Sequence, residues 1–329
     1  MKILILRFSS IGDIVLTTPV LRCLKMQLPG AELHYCTKRA FADLIEPNPY
    51  IDARHYLDGS LNDLIRQLRA ERYDLIIDLH NNLRTRIIKT RLGVRARTVD
   101  KLNWQKWLYV RWKIDRLPNR HIVDRYMDTV LSLGVLNDGQ GLDHFIPTTD
   151  RVAAHELPPA HQTSYVAYAI GGQHATKRLP VTRIIDLCRQ LDQPVVLLGD
   201  ATDRATGEQV LRALGSERIY NACGLYRLNQ SASLVQRAHV VISHDTGLMH
   251  VAAALRKQIY VIWGNTTPRF GMYPYQTPFT SLEKIGLSCR PCSKIGSDRC
   301  PLGHFRCMNE VELTVPKWLM ESKKRSELF

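Results

Sequence analysis

The sequence predicts an α/β protein made of two doubly wound, Rossmann-like domains, and three observations carry that prediction. Short β-branched apolar runs alternate with segments whose apolar residues recur at helical spacing. Continuous apolar strands separated by helices imply parallel sheets covered on both faces. The length, 329 residues, suits two domains of about 150 residues, each able to bury its own core. A polar stretch at 147–164, with Pro158 next to Pro159, interrupts the alternation midway. It divides the chain into residues 1–155 and 156–329.

In order, the apolar runs place strands at Ile3–Phe8, Glu32–Cys36 and Tyr73–Leu79 in the first domain. Those of the second are Tyr165–Ile170, Val195–Leu198, His239–Ser243 and Ile259–Trp263. Helical spacing recurs over Leu61–Arg72, Val123–Leu133, Arg183–Leu191, Arg204–Leu214 and Thr246–Leu255, with a final helix expected around Val315–Ser326. There is no tandem repeat and no low-complexity segment.

Composition excludes several classes. With 45% hydrophobic and 23% charged residues, the chain is neither disordered nor fibrous. No apolar stretch approaches the ~20 residues of a membrane span. The opening MKILILRF is too short an apolar run to be a signal peptide and reads as a first strand. A cytoplasmic location is expected.

Charge is distributed unevenly. The net charge is +14, and most of it falls in residues 84–125, which hold thirteen Lys/Arg against three Asp. Trp104, Trp107 and Trp112 lie in the same segment. Cations interleaved with indoles suit an anionic partner at an interface: a membrane surface, an anionic glycolipid or nucleic acid. A solvated helix packed by its apolar stripe is the plainer alternative.

Four of the eight cysteines (Cys23, Cys36, Cys188 and Cys223) stand in apolar surroundings and read as core. Cys289, Cys292, Cys300 and Cys307 form a C-x2-C-x7-C-x6-C cluster, with His304 as a fifth candidate ligand. Structural zinc, packed free thiols and a redox pair all remain open readings.

Ligands of open α/β sheets bind at the strand-to-helix turns. The first turn, Arg7-Phe-Ser-Ser-Ile-Gly-Asp13, is neither a dinucleotide fingerprint nor a phosphate-binding Walker loop. It offers hydroxyls at a helix start, a glycine, and Asp13, which either serves a cleft or merely complements a helix N-terminus. The second turn, Gly171-Gly-Gln-His-Ala-Thr-Lys177-Arg178-Leu-Pro180, is an anion cradle or an exposed basic loop. The third, His244-Asp245-Thr246-Gly247-Leu248-Met249-His250, opens a helix whose free amides suit a diphosphate. His250, taken alone, reads better as a satisfied core histidine.

Taken together, R-x4-G-D, G-G-x4-K-R-x-P and D-T-G-x-x-H resemble the lipopolysaccharide heptosyltransferases, glycosyltransferases that use ADP-heptose. Tyr73-Asp-Leu-Ile-Ile-Asp78-Leu79-His80, Gly264-Asn-Thr-Thr-Pro268 and Gly303-His-Phe-Arg-Cys307-Met308 extend the likeness, which runs in order from residue 1 to about 310. The chain departs from the family at Leu179, where tryptophan is common, and at Thr267, where aspartate is common; both bear on donor identity.

The resemblance implies a GT-B architecture: an N-terminal acceptor-binding domain facing a C-terminal nucleotide-sugar domain across a cleft. It also implies inverting, metal-independent transfer of heptose from ADP-heptose to a lipopolysaccharide inner-core acceptor at the inner leaflet of the cytoplasmic membrane. By the same likeness Asp13 is the catalytic base, and Lys177, Asp245, Thr246, Gly247, Leu248 and His250 bind the donor. Tyr226 and Asp203 fall near the adenosine, and Arg7, Asn81 and Arg84 on the acceptor side. No Asp-x-Asp pair of the kind that holds a divalent ion is present. The alternatives are a transferase of this fold using another nucleotide sugar, and an RNA- or membrane-binding module built on residues 84–125.

Overall fold

The computed structural model describes residues 1–315; the helix expected around Val315–Ser326 falls beyond them. The first sheet is wholly parallel and contains β1 (Lys2–Leu6), β2 (Glu32–Lys38), β3 (Ala53–Leu57), β4 (Leu75–Asp78) and β5 (Ala96–Thr98). Its order is β3-β2-β1-β4-β5. The second sheet, also parallel, contains β6 (Val166–Ala169), β7 (Val195–Leu198), β8 (Ile219–Asn221), β9 (Val240–His244), β10 (Ile259–Trp263) and β11 (Phe279–Glu283). Its order is β11-β10-β9-β6-β7-β8.

The central strands are those whose apolar runs the sequence displays. β1, β6, β7, β9 and β10 are buried almost throughout, as strands covered on both faces must be. The strands missing from the sequence reading, β3, β5, β8 and β11, are the four edges. An edge strand is only partly covered, so it is short, mixed in polarity and lacks the apolar signature.

Strand order reverses beside β1 in one sheet and beside β6 in the other. Such switch points open a crevice at the carboxyl ends of the strands. β1 runs into the turn bearing Asp13, while β6 and β9 run into the turns bearing Lys177 and Asp245. The two switch points meet through the helices Ile11–Val15 and Gly247–Ala254. A Cβ on Gly12 would lie 2.4 Å from His250 Cδ2, and one on Gly247 2.7 Å from Ile11 Cβ. Glycine is needed at both places because the helices touch. Ile14, Val15, Met249 and Val251 belong to one continuous buried apolar cluster shared by both halves.

Candidate active site

Arg7 leaves the end of β1 and is buried, although it is charged. Its guanidinium donates from Nε to Ser9 O (2.8 Å) and from Nη1 to Leu79 O (2.6 Å) and the Tyr126 hydroxyl (2.9 Å). Nη2 lies 2.6 Å from Asp13 Oδ1. The other carboxylate oxygen of Asp13 accepts from the Ser10 amide (3.2 Å) and hydroxyl (2.9 Å). Burial pushes the Asp13 carboxyl up, but Arg7 and the Ser10 bonds outweigh it and hold it below the usual carboxylate range. Asp13 is therefore a fixed, ionised carboxylate at the seam between the halves.

Across the seam, Lys177 Nζ lies 2.7 Å from Asp245 Oδ2 and donates to Asp245 O at 3.2 Å. Thr266 donates to Asp245 Oδ2 at 2.8 Å. Thr246 is the extended residue before the helix Gly247–Ala254 and places no side-chain cap on it. The first-turn amides of that helix, including Gly247 and Leu248, have no acceptor within the helix and lie at the positive end of its dipole. His250 sits behind them, buried, with Nδ1 unpartnered. Burial drops its pKa to about 4, and the charges it feels come from Asp245, Asp13 and Lys177. It is a neutral imidazole between the two carboxylates.

The remaining expected residues fall in different places. The Asp203 carboxylate accepts from the Asp200 amide (3.0 Å) and lies 3.4 Å from Arg178 Nη1. A Cβ on Gly171 would come within 2.3 Å of Asp203 Oδ2, so this carboxylate props the Gly171 turn from beneath. The Tyr226 hydroxyl is 3.1 Å from that of Tyr220. Asn81 donates its amide to Val99 O (3.0 Å) and shapes the turn after β4. Arg84 is exposed on the helix Leu83–Leu92. Arg7 gives its donors to protein partners and holds Asp13.

The sequence did not indicate that the basic segment divides. Arg125 is buried, bonded only to the Asp100 and Phe270 carbonyls (3.3 Å each), with Nε unpartnered. Lys106 lies 5.7 Å from the Phe270 ring centroid, and burial, with Arg125 and Lys101 nearby, lowers its pKa to about 8. Lys101 is lowered by burial and then by Arg7. Lys101 and Lys106 feel the Asp13 charge, and none of the three cations has a carboxylate partner among the described residues, whereas the tryptophans face outward. Crowded, desolvated cations without counter-charge favour an anionic ligand.

The zinc reading of the cysteine cluster gains no support. Cys289, Cys292 and Cys300 are half-buried, Cys307 is buried, and all four are free thiols. Among the described residues no three of them, with or without His304, gather their ligand atoms around a common point. Burial, first, and the neighbouring Cys292, Cys300 and Cys289 push the Cys307 thiol up to about 11. The one group that does converge is His34, His55 and Glu71. There the Lys2 ammonium already lies 3.0 Å from Glu71 and 3.2 Å from Glu32, in the cation's role.

Two parallel α/β domains, with ligand-type turns meeting at their switch points, define the GT-B class of glycosyltransferases. The profile of "Glycosyltransferase family 9 (heptosyltransferase)" matches residues 61–302, and the chain belongs to that family. It is 24% identical over 294 residues to lipopolysaccharide heptosyltransferase 2 of Escherichia coli K12, covering 82% of this chain and 84% of the relative. A family 9 glycosyltransferase structure from Veillonella parvula superposes with a TM-score of 0.74 at 23% identity, over 87% of this chain and 88% of that one. An E. coli heptosyltransferase solved with ADP superposes at 0.66 and 20% identity, over 86% and 93%.

Proposed function

We propose that the enzyme transfers heptose from ADP-heptose to an anionic inner-core lipopolysaccharide acceptor, with inversion and without a divalent ion. Asp13 is the general base. The observation that carries the reading is the seam itself: an ionised, positioned carboxylate from one half stands against a lysine and a helix N-terminus from the other. The names of the relatives supply the sugar and the acceptor, and a relative's structure with ADP supplies the nucleotide.

In this reading the ADP diphosphate takes the Gly247–Leu248 amides and draws the Lys177 ammonium from Asp245. Fixed cations and amides stabilise the departing diphosphate electrostatically. The acceptor hydroxyl attacks the anomeric carbon from the Asp13 side. A base of low pKa draws the proton late, as the new bond acidifies the hydroxyl. Lys101, Lys106 and Arg125 face the acceptor's carboxylates or phosphates. Tyr226 is close to the adenosine, and Asp203 supports that site through the Gly171 turn.

Residues 1–155 form the acceptor domain in this reading and 156–329 the donor domain. The setting is the cytoplasmic face of the inner membrane, reached without a span; among the described residues no helix is long and apolar enough to cross one. The test is a donor and acceptor screen by mass spectrometry in EDTA, with titration calorimetry of ADP, UDP and GDP. Heptose transfer with preferential ADP binding supports the reading. A strong preference for UDP or GDP moves the enzyme to another donor class.

A further inference from the structure

The helix Asn103–Trp112 buries none of its residues. Trp104 and Trp107, 64% and 41% exposed, stack with ring centroids 4.9 Å apart. Trp112 is 59% exposed and lies under the Arg111 guanidinium at 5.3 Å. The opposite face is anchored: Lys106 and Tyr109 rest against Phe270, so the indoles are held outward. Single exposed apolar residues are ordinary, but three indoles on one short helix form a patch. At the end of the helix, Lys113 Nζ donates to the carbonyls of Pro291 (2.6 Å) and Cys289 (3.1 Å). The loop it grips leaves Ile285 and Ile295 strongly exposed.

We propose that the outward face of this helix, with the adjoining loop at 285–295, docks on an anionic lipid bilayer. The chemistry on the page selects that occupant. Indoles settle at the headgroup level, where an apolar body and a polar edge are both satisfied. Arg111 on this helix, Arg116 just beyond it and Lys294 in the loop are exposed, and each Lys or Arg near an anionic leaflet adds roughly fivefold to partitioning. Single-stranded nucleic acid would need free indole faces for its bases. Here Trp104 and Trp107 cover one face of each other and Arg111 lies over Trp112. Lys106 and Tyr109 lie on the other side of the same helix, so the docked face is directly behind Lys106, which feels the Asp13 charge. The inference deepens the proposed lipid-linked acceptor: the bilayer would meet the enzyme at its acceptor side.

The test uses the full chain and vesicles free of any acceptor. Phosphatidylethanolamine vesicles containing phosphatidylglycerol are compared with pure phosphatidylcholine vesicles, by co-sedimentation and tryptophan fluorescence. Binding to the anionic vesicles at low salt, a blue shift on binding, and release at high salt are expected. Trp104→Ser with Trp107→Ser should lower partitioning by about tenfold or more. Arg111→Gln with Arg116→Gln should lower it roughly fivefold per cation. Both variants should keep full transfer to a soluble acceptor fragment, which checks their folding. Three results overturn the inference: no vesicle binding at low salt, equal binding by the variants, or a concentration-dependent dimer that hides the indoles. Tight RNA binding without vesicle binding also overturns it. The proposed transferase reaction is judged separately, by turnover of the soluble fragment.

Discussion

Each half of the candidate site holds a carboxylate against a cation at nearly the same distance, 2.6 Å for Arg7–Asp13 and 2.7 Å for Lys177–Asp245. The cations differ in kind. Arg7 is a planar fork whose other donors are committed to Ser9 O, Leu79 O and Tyr126; it cannot leave without orphaning buried carbonyls. Lys177 is a point charge on a flexible stem that, among the described residues, bonds only to Asp245. Arginine suits a permanent bidentate clamp, lysine a contact that can be exchanged. One pair fixes a group in place, and in the proposed reaction the other holds a cation that a diphosphate would draw away.

Breaking the fixed side should have the largest effect. Asp13→Asn should lower kcat by about 10²–10⁴-fold while ADP affinity, measured by calorimetry, stays within about twofold if Asp13 serves only chemistry. Near-normal turnover would remove Asp13 from the mechanism. Arg7→Lys should cost about 10–100-fold in kcat through misplacement of the carboxylate. It also has a pH signature. Arg7 depresses the Asp13 pKa, so weakening the clamp raises it, and the acid limb of the kcat profile should move to higher pH. An unchanged limb would mean that Arg7 serves the fold alone.

The exchangeable side should respond in binding. Lys177→Ala should weaken ADP by about 10–100-fold in EDTA, the scale of a hydrogen bond to a charged group. Asp245→Asn frees the lysine and should cost far less. Equal losses in the two variants would erase the distinction between a stored cation and a fixed one.

The smallest effects concern the junction. Gly12→Ala drives a methyl into His250 and should destabilise by about 1–3 kcal/mol, read as a fall in Tm. His250 and His244 have pKa values of about 4 in the fold because burial disfavours the cation. Unfolded histidine titrates near ~6.5, so the unfolded chain binds protons first on acidification. Stability should be full above about pH 6.5 and fall as pH drops toward 4. His250→Gln should flatten that fall, and identical Tm–pH curves would contradict the buried neutral imidazole.

The inner strands and the turns carrying Asp13, Lys177 and Asp245 are legible along the chain because each effect is local. A two-sided strand must be apolar throughout, and a phosphate turn needs glycines and a helix start within a few residues. Edge strands escape notice because partial burial imposes no pattern. The cysteine cluster leaves three readings open because spacing alone does not say whether the sulfurs converge.

What the order of residues determines by itself is therefore the class of fold, the family and the glycine-bearing turns after β1, β6 and β9. The tertiary structure alone decides how long-range neighbours divide those residues. Arg7 is committed to Asp13 because β4 delivers Leu79 O and a later helix delivers Tyr126. Lys106 turns inward and Trp107, one residue on, turns outward because Phe270, far along the chain, covers one face of their helix. Adjacent residues on a helix point about 100° apart, and only the packing partner determines which of them meets the protein and which meets its surroundings.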